Sequence, residues 1–109
     1  MEQIGTPIDC DHAPSAVMMR AADCPSRLLI PYHTHRRAEL VYVTSGTLAV
    51  TANDTVHTVS ADQALLIPAG LSHDMRMLSD ASVLTAYIAP TPAMPCERQC
   101  RTLTASNLL

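Results

Sequence analysis

Short apolar runs alternate with polar turn residues along most of this chain. The runs are rich in Val, Leu, Ile, Thr and Tyr, which favour β-strands. Turn-forming residues separate them, including Asn53-Asp54, Ser79-Asp80 and Gly46. The pattern predicts eight strands, at residues 16–21, 27–31, 39–44, 47–52, 55–59, 63–67, 74–78 and 82–88. Many short strands of this kind are typical of an antiparallel barrel or sandwich.

Composition supports a single all-β domain with an aliphatic core. The chain has 109 residues, which is enough for one hydrophobic core but too few for two. Hydrophobic residues make up 48% of it, yet there is no Phe or Trp and only three Tyr. A cavity in such a core would recognise a ligand by shape and a few polar groups rather than by aromatic stacking. We assign residues 1–90 to this domain.

Three histidines and one glutamate stand at spacings that favour convergence. His33 and His35 are two residues apart, so in an extended strand they point to the same face. Glu39 keeps the same parity if the strand resumes after a short turn. His73 opens a later strand, beyond the turn Pro68-Ala69-Gly70. We therefore predict that these four side chains meet.

The four side chains are a candidate metal site. Imidazole nitrogens and carboxylate oxygens are donors that suit divalent transition metals such as Zn, Fe, Mn or Ni. Four such donors would leave coordination positions open on an octahedral ion, as a catalytic metal requires. The alternative is a polar pocket without metal, in which the same groups hydrogen-bond one another. The residues alone leave both interpretations open.

The same residues carry a resemblance to the cupin family. A first cupin motif, His-x-His followed by Glu and then Gly, is matched at residues 33–46. A second motif, Pro-x-Gly followed by His, is matched within residues 62–77. The chain departs from the family pattern at Arg27 and Asp62, which replace glycines, and at Met77, which replaces asparagine. The resemblance implies a small antiparallel β-barrel of the jelly-roll type, with a metal or ligand in its mouth.

The C-terminal part of the sequence resembles one group of cupin-like domains. Residues 91–109 read as a proline-punctuated connector and the beginning of a helix, with Thr104 or Ser106 as N-cap and Leu108-Leu109 in the first turn. This layout is similar to the N-terminal sensor domain of AraC-type transcription regulators. The resemblance implies a domain that binds a small-molecule effector and dimerises, with the DNA-binding part absent from this chain.

Two functions remain open for the predicted pocket. As an effector site in the barrel mouth, it would combine the candidate metal ligands with an apolar wall, and would comprise His33, His35, Glu39, Val41, His73, Met75 and Met77. The alternative is a stand-alone metal-dependent cupin enzyme of the dioxygenase, isomerase or decarboxylase type. The motifs contain no additional acid–base residue, so we name no catalytic residue. For a storage or simple binding protein the sequence offers no positive feature.

Net charge, the N-terminal sequence and the cysteines limit the binding partners and the cellular compartment that we expect. The net charge of −3 provides no basic stripe for phosphate contacts, so we expect no direct nucleic-acid binding by this segment. The N-terminus lacks the layout of a signal peptide, and no apolar run approaches the length of a membrane span. We therefore expect a cytoplasmic protein without membrane contact. The cysteines match no usual zinc pattern and are interpreted as incidental reduced thiols: Cys10, Cys24, Cys96 and Cys100.

Two further expectations concern the surface. Arg36 and Arg37 stand between His35 and Glu39, where we expect a solvated turn rather than an anion-binding clamp. Exposed edge strands of a barrel tend to be covered by a partner, which favours a homodimer.

Overall fold

The structure is a computed structural model that describes residues 3–92 and 98–104, and these residues form ten strands. The strands are β1 (Gln3–Ile4), β2 (Val17–Cys24), β3 (Leu28–His33), β4 (Ala38–Ser45), β5 (Thr47–Ala52), β6 (Thr55–Ser60), β7 (Gln63–Ile67), β8 (His73–Met77), β9 (Ala81–Ile88) and β10 (Arg101–Thr104). In the part of the chain that the structure describes, no helix has the length and apolar character needed to cross a membrane.

The strands form two five-stranded sheets. Sheet A has the strand order β1-β3-β8-β5-β6, and sheet B has the order β10-β7-β4-β9-β2. All paired strands run antiparallel except β1 and β3. Most neighbours within a sheet are distant in sequence, which is the connectivity of a jelly roll. The predicted all-β antiparallel barrel is confirmed.

Each of the eight predicted strands corresponds to one of β2 to β9, with ends that differ by at most three residues. The two remaining strands, β1 and β10, were not predicted. Strand β10 lies inside the segment interpreted as a connector, where it pairs with the edge of β7 and places Arg101 opposite Leu66. Thr104, one of the two predicted N-cap residues, ends this strand. Cys96, Ser106 and Leu108-Leu109 lie outside the described residues.

The hydrophobic core lies between the sheets and is aliphatic, as composition indicated. Its fully buried members are Val41, Val43, Leu48, Val50, Val59, Leu65 and Ile67. Burying one such side chain stabilises the fold by roughly 1.5–3 kcal/mol. Along the inner face of β4, Glu39 is followed by Val41 and Val43, all of them buried. The strand that fills the core therefore also positions one of the candidate metal ligands.

Turns between strands depend on left-handed backbone conformations. Gly46 has φ +83°, and a Cβ at this position would collide with the Asp80 carbonyl oxygen and the Ala81 Cα. Arg27 and Asp62, which stand where the cupin motifs have glycine, have φ 68° and 67°. The chain thus keeps a glycine-type backbone at both positions although it lacks the glycines.

Candidate metal centre

The four predicted ligands come together from both sheets. His33 on β3 and His73 on β8 are paired directly in the register of sheet A. Glu39 lies on β4 in sheet B, and His35 lies in the segment that joins β3 to β4. One donor atom from each residue lies within 4.8 Å of all the others. The predicted convergence is therefore observed.

The three imidazoles are oriented by backbone carbonyls close in sequence. His33 Nδ1 donates to the Pro31 carbonyl oxygen at 2.8 Å, and His73 Nδ1 donates to that of Leu71 at 2.8 Å. His35 Nδ1 donates to the carbonyl oxygen of Arg37 at 2.7 Å. Because a carbonyl oxygen can only accept, the proton of each neutral ring is fixed on Nδ1 and the lone pair on Nε2.

With neutral rings, the cluster therefore contains more hydrogen-bond acceptors than donors. His35 Nε2 lies 3.0 Å from Glu39 Oε1, and His73 Nε2 lies 3.5 Å from the same oxygen. His73 Nε2 is buried and has no hydrogen-bond partner among the described residues. A buried polar atom without a partner is unfavourable, and lone pairs that face one carboxylate favour a shared cation, either a metal ion or a proton on a ring. The donor set therefore fits a divalent metal ion, which the cluster could hold.

Electrostatics within the cluster favour a buried anion with a positive charge beside it. Burial of Glu39 disfavours its charged form, but its contacts with His35 and His73 outweigh burial, so the pKa of Glu39 lies below its usual value. The hydrogen bond to Glu39 raises the pKa of His35. Burial lowers the pKa of His33, which favours the neutral ring that a metal ion needs.

The Arg36-Arg37 pair differs from the expected solvated turn, because Arg37 is only 5% exposed. Its guanidinium donates four hydrogen bonds, to the carbonyl oxygens of Ala13, Ser15, Ala16 and Tyr87. The Asp11 carboxylate accepts the backbone N–H groups of Arg36 and Arg37. Arg37 thus ties the N-terminal segment to the loop that carries His35, and its own carbonyl orients that ring.

A cavity of about 270 Å³ adjoins the cluster. His33 and Glu39 belong to its wall, together with Met75 and Met77 from the predicted pocket. Val41 was also predicted there, but it is buried in the hydrophobic core and does not line the cavity. His35 and His73 complete the cluster without lining the cavity. A small molecule in the cavity could therefore reach the cluster through His33 and Glu39.

The family is decided by comparison with known proteins. A family model described as "Cupin domain" matches residues 25–88, more than half of the chain. The chain belongs to the cupin family. Solved structures agree on the cupin fold: a conserved protein of unknown function from Streptococcus pyogenes is 17% identical, with TM-score 0.68, over 79% of this chain and 82% of that one.

Two other relatives represent a regulator and an enzyme. The cupin is 28% identical over 81 residues to the HTH-type transcriptional regulator NimR of Escherichia coli, covering 74% of this chain and spanning only 29% of that regulator. It also shares its fold with Bacillus subtilis oxalate decarboxylase, a protein with Mn(II) centres, at 21% identity and TM-score 0.64, over 70% of this chain and 22% of the enzyme.

Several cavity residues of this cupin were not found from sequence. Arg20, Thr85 and Tyr87 line the cavity, as does the N-terminal segment from Gly5 to Ile8. The position of Arg20 within the predicted strand at residues 16–21 was the only signal in the sequence. It could not be used because the partner of that strand, and hence its inner face, was unknown.

Proposed function

We propose that this cupin domain senses a small-molecule effector beside a divalent transition metal, as the N-terminal part of a cytoplasmic AraC-type transcription regulator. The observation that carries the proposal is the cavity of about 270 Å³ whose wall includes His33 and Glu39. An effector bound there would contact two members of the metal cluster directly. The pocket would thus recognise the effector through a few polar groups in an otherwise aliphatic wall.

His33, His35, Glu39 and His73 would hold the metal, with Zn, Fe, Mn or Ni as the ions that suit these donors. When bound, such an ion would supply a positive charge and a binding site for an oxygen or nitrogen donor of the effector. The protein itself orients the ligands. Three backbone carbonyls fix the imidazole rings, and Arg37 holds the loop that carries His35.

Similarity to NimR supports sensing rather than catalysis, because the aligned region is a minor part of a DNA-binding regulator. The fold also offers a short route from the cluster to the C-terminal segment. Glu39 pairs with Ile67 on β7. The residue before it, Leu66, pairs with Arg101 on β10. An effector that shifts β4 against β7 would bias the position of β10 and whatever follows it, which is the coupling that regulation needs.

A homodimer is part of the proposal. The outer face of sheet B exposes three large apolar side chains on the edge strand β2 and its neighbour β9: Val17, Met19 and Leu84. Since β2 is an edge strand, a second copy that covers this face would also protect a free edge. Analytical ultracentrifugation of wild type and Met19→Glu tests it, and a monomeric wild-type chain would exclude this dimer.

The metal is tested by elemental analysis of protein purified without chelators or metal-affinity resin. We expect about one equivalent of a transition metal in wild type and a large loss in His73→Ala. His57→Ala is the matched control because His57 lies outside the cluster, and it should keep the metal. Wild type that takes up no stoichiometric metal, even after incubation with Zn, Mn, Fe(II) and Ni salts, would contradict the metal site.

A metal-dependent enzyme is the second candidate, because His33 and Glu39 belong to the cluster and to the cavity wall at once. A substrate in the cavity would therefore meet a bound ion, as dioxygenase, isomerase or decarboxylase chemistry requires. Once a ligand is identified, following it by NMR in the presence of metal-loaded protein separates the candidates. A bound but unchanged ligand supports sensing, whereas multiple turnovers support catalysis.

A further inference from the structure

An arginine at the edge of the cavity has no role in the metal cluster. Arg20 lies on β2 with the same parity as Ala22 and Cys24, both of which pack against the core. It is paired across the sheet with Thr85, a buried residue of the cavity wall. Arg20 itself is exposed and lines the cavity. Its guanidinium therefore stands on the inner face of sheet B, at the rim of the cavity.

None of the carboxylates that the structure describes is paired with this guanidinium. Arg20 forms no ion pair with any residue among 3–92 and 98–104. Asp23 also lines the cavity, but it forms no ion pair with Arg20, and its carboxylate accepts the Ser82 hydroxyl at 2.7 Å. Glu39, the other acidic residue of the cavity wall, is engaged with His35 and His73.

The positive charge of Arg20 acts within the cavity. Burial raises the pKa of Tyr87 and of the Cys24 thiol, and Arg20 is the cationic side chain that works against burial at both positions. Both residues line the cavity wall. Arg20 shares this wall with both residues, so its positive charge lies beside the space in which a ligand would lie.

We propose that the cavity binds a short organic carboxylate, with its carboxylate held by Arg20 and a second oxygen donor directed at the His33–Glu39 side. The second contact rests on the proposed metal function, whereas the contact to Arg20 does not. A planar guanidinium suits a carboxylate because it can donate two parallel hydrogen bonds. The buried Thr85 hydroxyl beside it is a further donor.

Strand geometry limits the length of this ligand. Arg20 and Val41 both pair with Thr85, and Glu39 lies two residues before Val41 on the same face. Two strand spacings and two residues of rise separate the Cα atoms of Arg20 and Glu39 by about 10 Å across the sheet and about 7 Å along it. The long arginine side chain and the cluster occupy much of that separation. A ligand of only a few carbons therefore bridges them.

The rest of the wall agrees with a short carbon chain. Leu28, Ile30, Met75 and Met77 provide flexible and branched apolar surface between the two polar ends. The volume of about 270 Å³ lies just below the range of sites for drug-sized molecules, which is roughly 300–1,000 Å³. The cavity thus suits a small metabolite with one charged end rather than a large aromatic ligand.

The test uses three probes that place a hydroxyl at increasing distance from a carboxylate: lactate, 3-hydroxybutyrate and 4-hydroxybutyrate. Each is compared with its neutral amide by calorimetric titration of the full chain, both metal-loaded and metal-free. We expect at least one carboxylate to bind about tenfold or more tightly than its amide, because the amide loses the charge-assisted contact. Arg20→Gln should abolish this preference, and Arg20→Lys should restore part of it.

Arg98→Gln is the matched control, since it removes the same charge from an exposed residue outside this cavity. It should leave the carboxylate preference unchanged, and metal uptake by Arg20→Gln should equal that of wild type. Equal binding of acid and amide, binding of no carboxylate in the series, or a preference that survives Arg20→Gln would each overturn the proposal. A preference that persists without any metal uptake supports the Arg20 site while contradicting the proposed metal. Metal uptake without a preference for the carboxylate would support the proposed metal while contradicting the Arg20 site.

Discussion

The inner face of β4 places two different environments next to each other. Val41 and Val43 are fully buried among other aliphatic side chains, where burial itself is favourable. Glu39, two residues earlier, is equally enclosed, but burial of its carboxylate is unfavourable and must be offset by neighbouring cations or donors. The apolar region therefore stabilises the fold without a bound ion or ligand. The polar region depends on what binds there.

Leu48→Ala gives the largest expected effect and tests the apolar region alone. Leu48 is fully buried and paired with Met77 and Val59 on neighbouring strands. Its truncation should lower the free energy of unfolding by about 3 kcal/mol, measured by urea denaturation of metal-free protein. Leu78→Ala, at a 51% exposed leucine, is the control and should change it by less than about 0.5 kcal/mol. Similar losses in both variants would show that the core is not packed as described.

Metal binding should stabilise the polar region without any contribution from the apolar one. At a free metal concentration of about 100 times Kd, wild type should gain about 2.7 kcal/mol, and EDTA should remove this gain. Leu48→Ala should gain the same amount, because its site is intact, whereas His73→Ala should gain little. The measurement is urea denaturation with and without metal. A smaller gain in Leu48→Ala than in wild type would mean that the two regions are coupled.

Arg37→Met tests how the polar region is held together. Methionine keeps an apolar stem but removes four hydrogen bonds to carbonyl oxygens, so we expect a loss of about 2 kcal/mol in unfolding free energy. Metal affinity should fall about tenfold, because the Arg37 carbonyl that orients His35 is no longer fixed. Arg36→Met removes an exposed guanidinium from the neighbouring position and should alter neither quantity. Unchanged metal affinity in Arg37→Met would show that Arg37 stabilises the fold but does not orient His35 for metal binding.

The contrast between the two regions also explains what the sequence could predict. Strands such as Thr47–Ala52 and Gln63–Ile67 have the predicted bounds because alternation, Gly46 and Pro68 are local signals. The convergence of His33 and His73 followed from the family motifs, and they pair in register. Strand β10 was missed because its four residues lack alternating apolar positions and form a strand only through long-range pairing with β7.

The polar region was predicted less completely because its contacts are made by the backbone. The partners of Arg37 are carbonyl oxygens about 20 or 50 residues away in sequence, which no side-chain pattern records. The position of Arg20 in the cavity wall likewise depends on the pairing of β2 with β9. The residue types in the cluster could be read from the sequence, but the residues that orient and complete it could not.

Alkaline pH should destabilise the fold through the buried thiol of Cys10. Burial, assisted by the charge of Asp11, raises the pKa of this thiol from 9.0 to about 11. Between these values the unfolded chain loses the thiol proton before the folded one, so stability falls as pH rises from 9 to 11. We expect Cys10 to contribute a loss of about 1 kcal/mol between pH 8 and pH 10. Cys10→Ala should show a smaller decline over this range in urea denaturation, and identical declines would contradict the assignment.

Arg27→Gly gives the smallest expected effect and, unlike the others, should be stabilising. Arg27 is exposed and has φ 68°, a conformation that costs a non-glycine residue about 1–2 kcal/mol. Glycine removes this cost but increases the entropy of the unfolded chain, so the net gain should be about 0.5–1 kcal/mol. Ser26→Gly, at an exposed neighbour without a positive φ, should instead be destabilising. Opposite signs in the two variants, measured by urea denaturation, would show that this turn keeps the backbone of the cupin motif at an energetic cost. A loss of stability in Arg27→Gly would mean that the arginine side chain itself supports the fold.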